Sequence, residues 1–191
     1  MNYLAHAYLS FNEPEILVGN LISDFVKGKK QFNYSPGIQN GITLHRAIDQ
    51  FTDTHETTRL AKEIFRPHYR LYAAAFVDVV YDHFLATDKN LFTEQSLLAF
   101  SENVYLQLDP FIPVLPELFQ RMFPYMKTQN WLNNYQYKQG IKQSFGGVVR
   151  RSAYLTESDT AFILFENNYA YLQECYNSFF PELKAYVLGK V

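Results

Sequence analysis

The sequence contains a single cysteine and no long uninterrupted apolar run. Cys175 is the only cysteine among 191 residues, so an internal disulfide cannot form and a disulfide-stabilised fold is excluded. No apolar run approaches the roughly 20 residues that cross a bilayer. The first residues also have no basic segment followed by an apolar one, as a secretory signal would. We therefore expect a cytoplasmic protein that is neither exported nor membrane-spanning.

The chain also has little net charge. Its 17 basic and 19 acidic residues give a formal charge of −2, so no overall positive field attracts nucleic acid. We expect no nucleic-acid partner. Any other anionic partner must be recognised by a local basic patch.

Strand-like alternation is scarce, and there is no internal repeat, low-complexity tract or Gly/Ser linker. Apolar residues recur at helical spacing instead, and Pro14, Pro36 and Thr93 mark three helix starts. We predict one all-α domain over residues 1–191, an irregular helical bundle with many of its 15 Tyr and 17 Phe residues in the core. The predicted helical segments are 16–25, 38–51, 71–85, 97–108, 115–126 and 162–176.

Ionisable residues interrupt the most apolar of these segments. Residues 71–86 are apolar around nearly the whole helix, which is typical of a central buried helix. Apart from tyrosines, its titratable residues are Asp78, Asp82 and His83. Asp78 and Asp82 lie one turn apart and share a face. Burying an unpaired carboxylate costs several kcal/mol, so we expect a metal, a cation or hydrogen-bond donors opposite that face.

The same pattern occurs elsewhere in the chain. His45 and Asp49 continue the apolar stripe of segment 38–51, while Asp24 also falls on a predicted apolar face and His6 has apolar neighbours. Histidine and aspartate that converge from several helices are typical of a divalent-metal site in an all-α core, and they suit Mn, Fe, Zn or Mg. We interpret these residues as one metal site.

Each residue also has an ordinary structural explanation. A lone buried histidine such as His6 is more often a hydrogen-bonded core group than a ligand. His45 and Asp49 form an ordinary hydrogen-bonded pair on many helices. Buried carboxylates also pair with basic residues such as Arg46 or Lys27. The recurrence of the pattern on three helices favours the metal site.

Three segments resemble the signature blocks of bacterial acyl carrier protein phosphodiesterases. They are residues 19–28 (GNLISDFVKG), 41–53 (GITLHRAIDQFTD) and 78–85 (DVVYDHFL). The family also has similar residues at the positions of residues 1–6, Trp131-Leu132 and Arg150-Arg151. The resemblance implies an all-helical, HD-domain-like fold, since the family is distantly related to HD-domain metal phosphohydrolases. The sequence departs from the HD pattern because it has Asp82-His83 in place of a His-Asp dipeptide.

The resemblance implies hydrolysis of the phosphodiester that joins 4′-phosphopantetheine to a serine of holo acyl carrier protein. It also implies Mn²⁺ as the cofactor, with Mg²⁺ or Fe²⁺ as alternatives. We assign Asp24, His45, Asp49 and Asp82 as metal ligands with Asp78 in support, and His83 or His6 as a further ligand or as the acid that protonates the departing serine oxygen.

Acyl carrier proteins are acidic, so the substrate requires basic residues around the site. Lys27, Lys29, Lys30 and Arg46 are candidates for the protein partner, and Arg150 and Arg151 for bidentate phosphate binding. The three lysines and Arg46 are equally consistent with a solvated surface, whereas the family resemblance favours a functional role for Arg150 and Arg151. Two other functions stay open: an HD-like hydrolase of a nucleotide or another small phosphate ester, and a noncatalytic module that binds a carrier protein.

Overall fold

The computed structural model describes residues 1–190; Val191, the last residue of the predicted domain, lies outside them. Over this range the chain forms eleven α-helices joined by short turns and 3₁₀ segments, and no strand, which confirms the all-α prediction. The helices are α1 (Tyr3–Tyr8), α2 (Pro14–Ile22), α3 (Pro36–Thr54), α4 (Glu56–Tyr69), α5 (Ala73–Thr87), α6 (Glu94–Leu108), α7 (Glu117–Thr128), α8 (Trp131–Asn134), α9 (Lys138–Arg151), α10 (Asp159–Asn167) and α11 (Tyr169–Leu188).

The three predicted helix starts are confirmed. Pro14 and Pro36 occupy the first positions of α2 and α3, where proline lacks only an N–H that would be unpaired anyway. The Thr93 hydroxyl accepts a hydrogen bond from the backbone of Ser96, and the Ser96 hydroxyl accepts one from the backbone of Thr93. Helix boundaries that carry their own capping chemistry were therefore readable from sequence.

Other boundaries differ from the prediction. The segment 162–176 divides at Asn168 into α10 and α11, and α1, α4, α8 and α9 were not predicted. Leu71 was expected on the buried face of α5, but it lies in the 3₁₀ turn before that helix and is 96% exposed. The central helix therefore begins at Ala73.

Helix α5 lies at the centre of the bundle, in contact with α1, α4, α9 and α11. Aromatic side chains fill the space around it, as the composition predicted. Phe65 of α4, Phe76 of α5 and Phe145 of α9 are fully buried and pack ring against ring. None of the helices formed by residues 1–190 is both long and apolar enough to cross a membrane.

Helices α2 and α3 make the most extensive helix–helix contact, with their backbones almost touching. A β-carbon on Gly19 would lie 2.0 Å from the carbonyl oxygen of Ile38, a separation that only glycine permits. This close crossing brings the C-terminal end of α2 beside the middle of α3, where His45 lies.

Candidate metal centre

Two histidines from different helices stack in the interior. The rings of His6 on α1 and His45 on α3 have centroids 4.0 Å apart and an interplanar angle of 13°. Asp49, one turn after His45, lies beside both rings, with Oδ1 3.3 Å from His6 Nε2 and Oδ2 3.0 Å from His45 Nε2. Asp24 approaches from the turn after α2, with Oδ1 3.3 Å from His45 Nε2. Four predicted site residues thus converge, and we call this set the His/Asp cluster.

Asn20 orients both imidazoles. Its side-chain nitrogen donates to the carbonyl of His6 at 2.8 Å and to Ser10 Oγ at 3.0 Å. This leaves Asn20 Oδ1 as the acceptor for His6 Nδ1, 2.7 Å away. His45 Nδ1 donates to the backbone carbonyl of Asn20 at 2.6 Å. When neutral, as metal ligation requires, each ring therefore carries its proton on Nδ1 and directs the Nε2 lone pair into the cluster.

The charges in the cluster are strongly coupled. Burial lowers the pKa of His45, but hydrogen bonds and charge from Asp24 and Asp49 outweigh it and raise the pKa to about 9. Burial and the neighbouring His45 lower the pKa of His6 to about 4. Burial opposes ionisation of Asp49, yet the two histidines hold its pKa well below its usual range. The metal-free cluster thus holds ionised carboxylates against one protonated imidazole.

This donor set fits a divalent metal ion. The Nε2 atoms of His6 and His45 are buried and form no well-aligned hydrogen bond with residues 1–190. Ligand atoms of His6, His45 and Asp49 lie within 4.8 Å of one another. Imidazole and carboxylate donors suit Mn, Fe or Zn, and metal-binding histidines usually donate their other ring N–H to a second group, as both do here.

Asp78 lies behind the cluster and does not contact the imidazoles. Its Oδ1 accepts a hydrogen bond from the amino group of Met1 at 2.9 Å, and the same amino group lies 3.8 Å from Asp49 Oδ1. The Met1 amine therefore links Asp78 to Asp49. Asp78 supports the orientation of Asp49 through this charge.

Asp82, predicted as a metal ligand, lies outside the His/Asp cluster. Its side chain is fully buried, and its two oxygens accept hydrogen bonds from the backbone N–H groups of Asn2, Leu4 and Ala5 at 2.7–3.2 Å. The first N–H groups of a helix have no partner within it, and they attract a carboxylate. The hydrogen-bond donors expected opposite Asp82 are thus backbone N–H groups at the start of α1, the helix that carries His6.

His83 also lies outside the cluster, contrary to its predicted catalytic role. Its Nδ1 donates to the carbonyl of Tyr135 at 2.7 Å, and its Nε2 lies 2.9 Å from the Tyr169 hydroxyl. Burial lowers its pKa, in keeping with a neutral ring. Consecutive helix residues point in directions about 100° apart, so Asp82 and His83 cannot face one site.

Asp24 is close to His45 but is not buried as predicted. Its side chain is 74% exposed, because α2 ends at Ile22 and Asp24 lies in the following 3₁₀ turn. The hydrogen bond with His45 lowers its pKa. Asp24 therefore forms the solvent-facing side of the His/Asp cluster, where a substrate has access.

The family model described as acyl carrier protein phosphodiesterase matches residues 1–183. The chain belongs to this family. A protein from Yersinia enterocolitica (serotype O:8, biotype 1B) named acyl carrier protein phosphodiesterase is 34% identical over 100% of this chain and 99% of its own length. A protein of the same name from Photorhabdus laumondii is 34% identical over 95% of this chain and 92% of its own length. A third, from Serratia proteamaculans, is 33% identical over 96% of this chain and 95% of its own length. No solved structure matches the chain, so the HD-like relationship stays a prediction.

The basic residues that the family resemblance suggested lie on two sides of the cluster. Lys27, Lys29 and Lys30 follow Asp24 on an exposed segment and form no ion pair with residues 1–190. Arg46 donates to Gln31 Oε1 at 2.7 Å and so ties this segment to α3. We call the three lysines the lysine rim.

Arg150 and Arg151 lie at the end of α9, in a cleft that also contains Tyr3 of α1. Their guanidinium groups fold back along the helix, where a β-carbon on Gly147 would lie 3.4 Å from Arg151 Nη1 and 3.7 Å from Arg150 Nη2. Glycine thus leaves room for both groups beside the cleft.

Sequence reasoning missed Asn20. A signal was present, since Asn20 is the polar residue within the apolar run from Leu17 to Ile22 and is fully buried. A buried amide needs specific partners, so its position could have marked it as a group that orients other residues.

Proposed function

We propose that this protein is a metal-dependent phosphodiesterase that acts on holo acyl carrier protein. The reaction releases 4′-phosphopantetheine and leaves the apo carrier protein. The observation that carries the proposal is the pair of buried Nε2 atoms of His6 and His45 directed at the carboxylates of Asp49 and Asp24. Membership of a family named for this activity supports the same conclusion.

His6, His45, Asp49 and Asp24 are the residues that would hold the ion, with Mn²⁺ as the proposed metal and Mg²⁺ or Fe²⁺ as alternatives. When bound, a divalent ion would supply positive charge opposite the phosphoryl oxygens and would acidify the attacking water. The protein prepares this chemistry by orientation: Asn20 holds both rings, and the Met1 amine holds Asp49.

The surface around Asp24 suits an acidic partner. The lysine rim is exposed and uncompensated by ion pairs within residues 1–190, so its charge is available to a docking protein. Arg151 and Arg150 lie on the side of Tyr3 and can bind phosphate oxygens bidentately. A carrier protein on the rim and a phosphate near the arginines would flank the cluster. We place this reaction in the cytoplasm, in keeping with the unpaired Cys175.

The noncatalytic alternative required the buried carboxylates to pair with Arg46 or Lys27. Arg46 instead contacts Gln31, and Lys27 is exposed. Asp82 and Asp78 are satisfied by backbone N–H groups and the Met1 amine. The arrangement therefore favours a catalytic site over a binding module.

The decisive experiment measures metal content and turnover on the same preparation. Protein reconstituted with Mn²⁺ should bind it stoichiometrically and remove the prosthetic group of holo acyl carrier protein, seen by mass spectrometry as loss of 4′-phosphopantetheine. His45→Ala should abolish both properties. His68→Ala, at an exposed histidine, is the matched control and should change neither.

Two outcomes would contradict the proposal. Metal-loaded protein that leaves holo acyl carrier protein intact but hydrolyses bis(4-nitrophenyl) phosphate would favour a small-substrate phosphohydrolase. Protein that binds no divalent ion at all would favour a noncatalytic module.

A further inference from the structure

A narrow cleft opens beside the His/Asp cluster, between the start of α1, the short helix α8 and one face of α9. The side chains that give it its chemistry are Tyr3, Trp131, Asn134, Gln143, Arg150 and Arg151. Arg150 and Arg151 are proposed to bind phosphate, whereas the other four side chains have no assigned role.

The cleft has an aromatic wall. The rings of Tyr3 and Trp131 have centroids 6.5 Å apart and are inclined at 47°, and both residues are only partly buried. Trp131 Nε1 donates to Gln129 Oε1 at 2.9 Å, which orients the indole. A fixed, partly exposed pair of aromatic rings is suited to contact with an apolar part of a ligand.

The polar side chains of the cleft are available to a ligand. Gln143 and Ser144, both from α9, form no side-chain hydrogen bond with residues 1–190, and Arg150 and Arg151 form neither hydrogen bonds nor ion pairs there. A helix C-terminus attracts positive charge, which accounts for two arginines at the end of α9. It does not account for the aromatic rings and the free amide of Gln143 in the same cleft.

Tyr3 connects this cleft to the cluster. It lies one turn before His6 on α1. Burial raises the pKa of Tyr3 to about 12, while the positive charge of Arg151 opposes this and the negative charge of Asp24 adds to it. Tyr3 lines the cleft together with Arg151 and shares α1 with His6, so this helix joins the cleft to the His/Asp cluster.

We propose that the cleft binds the departing arm of the substrate, the 4′-phosphopantetheine chain. The proposal rests on the proposed function, which supplies the ligand. Such a chain is linear and flexible, with a phosphate at one end, followed by an apolar branched segment and two amides. Arg151 and Arg150 bind the phosphate end near the cluster, Trp131 packs against the apolar segment, and Gln143 and Asn134 hydrogen-bond the amides.

This arrangement separates the two halves of the substrate. The lysine rim contacts the protein half, whereas the cleft contacts only the prosthetic group. The free product therefore keeps all its contacts with the cleft after the phosphodiester is cleaved, so 4′-phosphopantetheine should bind the enzyme alone and inhibit it competitively.

Calorimetric titration with 4′-phosphopantetheine tests the inference. Wild-type Mn²⁺-loaded protein should bind it, and Trp131→Ala and Gln143→Ala should each weaken binding by about tenfold or more, consistent with the loss of one well-placed contact. Trp131→Phe should recover most of the affinity. Tyr125→Ala removes an exposed aromatic residue outside the cleft and should bind as wild type does.

Gln143→Ala keeps the test valid if Trp131→Ala fails to fold or loses metal, since Gln143 is exposed on α9. The inference would be overturned if each of the single variants Gln143→Ala, Trp131→Phe and Trp131→Ala bound 4′-phosphopantetheine with wild-type affinity. An equal loss of affinity for apo acyl carrier protein, which lacks the arm, would also overturn it. If wild type binds the arm and Trp131→Ala and Gln143→Ala bind it more weakly, but holo acyl carrier protein is never hydrolysed, the proposed function fails and the cleft assignment stands.

Discussion

Gly19 of α2 and Gly41 of α3 lie against each other where the two helices cross, so that a β-carbon on Gly41 would be 2.9 Å from the α-carbon of Gly19. The same β-carbon would be 2.3 Å from the carbonyl oxygen of Ile16. Backbone atoms cannot yield as a flexible side chain does. The crossing places the backbone carbonyl of Asn20 2.6 Å from His45.

We expect Gly41→Ala to separate α2 from α3 and to disturb the metal site as well as the fold. Overpacking of this kind costs about 1–3 kcal/mol or more. Urea denaturation should show the loss of stability, and metal titration should show weaker Mn²⁺ binding. Gly189→Ala at the end of α11, where a β-carbon would make only ordinary contacts at 3.6 Å, should leave both unchanged. Wild-type metal affinity in Gly41→Ala would show that the crossing does not position His45.

Replacement of Asn20 should weaken metal binding. Asn20→Ala removes the acceptor for His6 Nδ1 and the donor to Ser10 Oγ, so the His6 ring loses its fixed orientation. Loss of such an orienting group typically lowers metal affinity about 10–100-fold. Competition with a fluorescent chelator measures the change. Asn20→Asp keeps the acceptor and should retain more affinity than Asn20→Ala; the reverse order would contradict the orienting role.

Replacement of Asp82 should destabilise the protein, whereas replacement of Asp49 should not. Asp82→Ala leaves buried N–H groups of Leu4 and Ala5 without an acceptor, a loss of about 2–5 kcal/mol. Asp49 is 41% exposed, and its removal from the metal-free protein should change the free energy of unfolding by about 1 kcal/mol or less. Denaturation of both variants without metal compares them. Equal stabilities would argue that Asp82 serves the metal after all.

His83 should affect the pH dependence of stability and leave turnover unaffected. Burial lowers its pKa from the ordinary value of 6.5, so the folded protein binds this proton less readily than the unfolded chain does. Its contribution to stability is therefore complete above pH 6.5 and is lost as the pH falls below that value. His83→Asn should show a smaller loss of unfolding free energy between pH 7.5 and 5.5 than wild type. His68→Asn, at an exposed position, should follow wild type, and loss of turnover in His83→Asn would restore its predicted catalytic role.

The lysine rim should govern encounter with the carrier protein. Charge reversal of Lys29 and Lys30 should raise KM for holo acyl carrier protein about tenfold and weaken its salt dependence, with little change in kcat, since rim charges act mainly on association. The double variant Lys89→Glu, Arg59→Glu changes the net charge equally at exposed positions outside the rim and serves as the control. Equal effects of the two variants would indicate only a general charge effect.

Part of the site could be predicted from the sequence because the relevant patterns extend over only a few residues. His45 and Asp49 lie one turn apart on a stripe that apolar residues define, and the periodicity alone indicated that they face inward together. Asp78 and Asp82 were likewise predicted on one inward face. The hydrogen-bond partners of Asp78 and Asp82 could not be predicted, because the Met1 amine and the first turn of α1 are about 80 residues away in sequence.

The sequence by itself determined the α-helical class, three helix starts, and the shared helix face of His45 and Asp49. Helical periodicity and capping chemistry act over a few residues, so they can be read directly from the chain. Only the tertiary structure decided that Asp82 anchors α1, that His83 bonds to Tyr135 and Tyr169, and that His6 stacks on His45. Those outcomes depend on which helices pack together, and the glycine crossing and the hydrogen bonds of Asn20 determine that packing around the cluster.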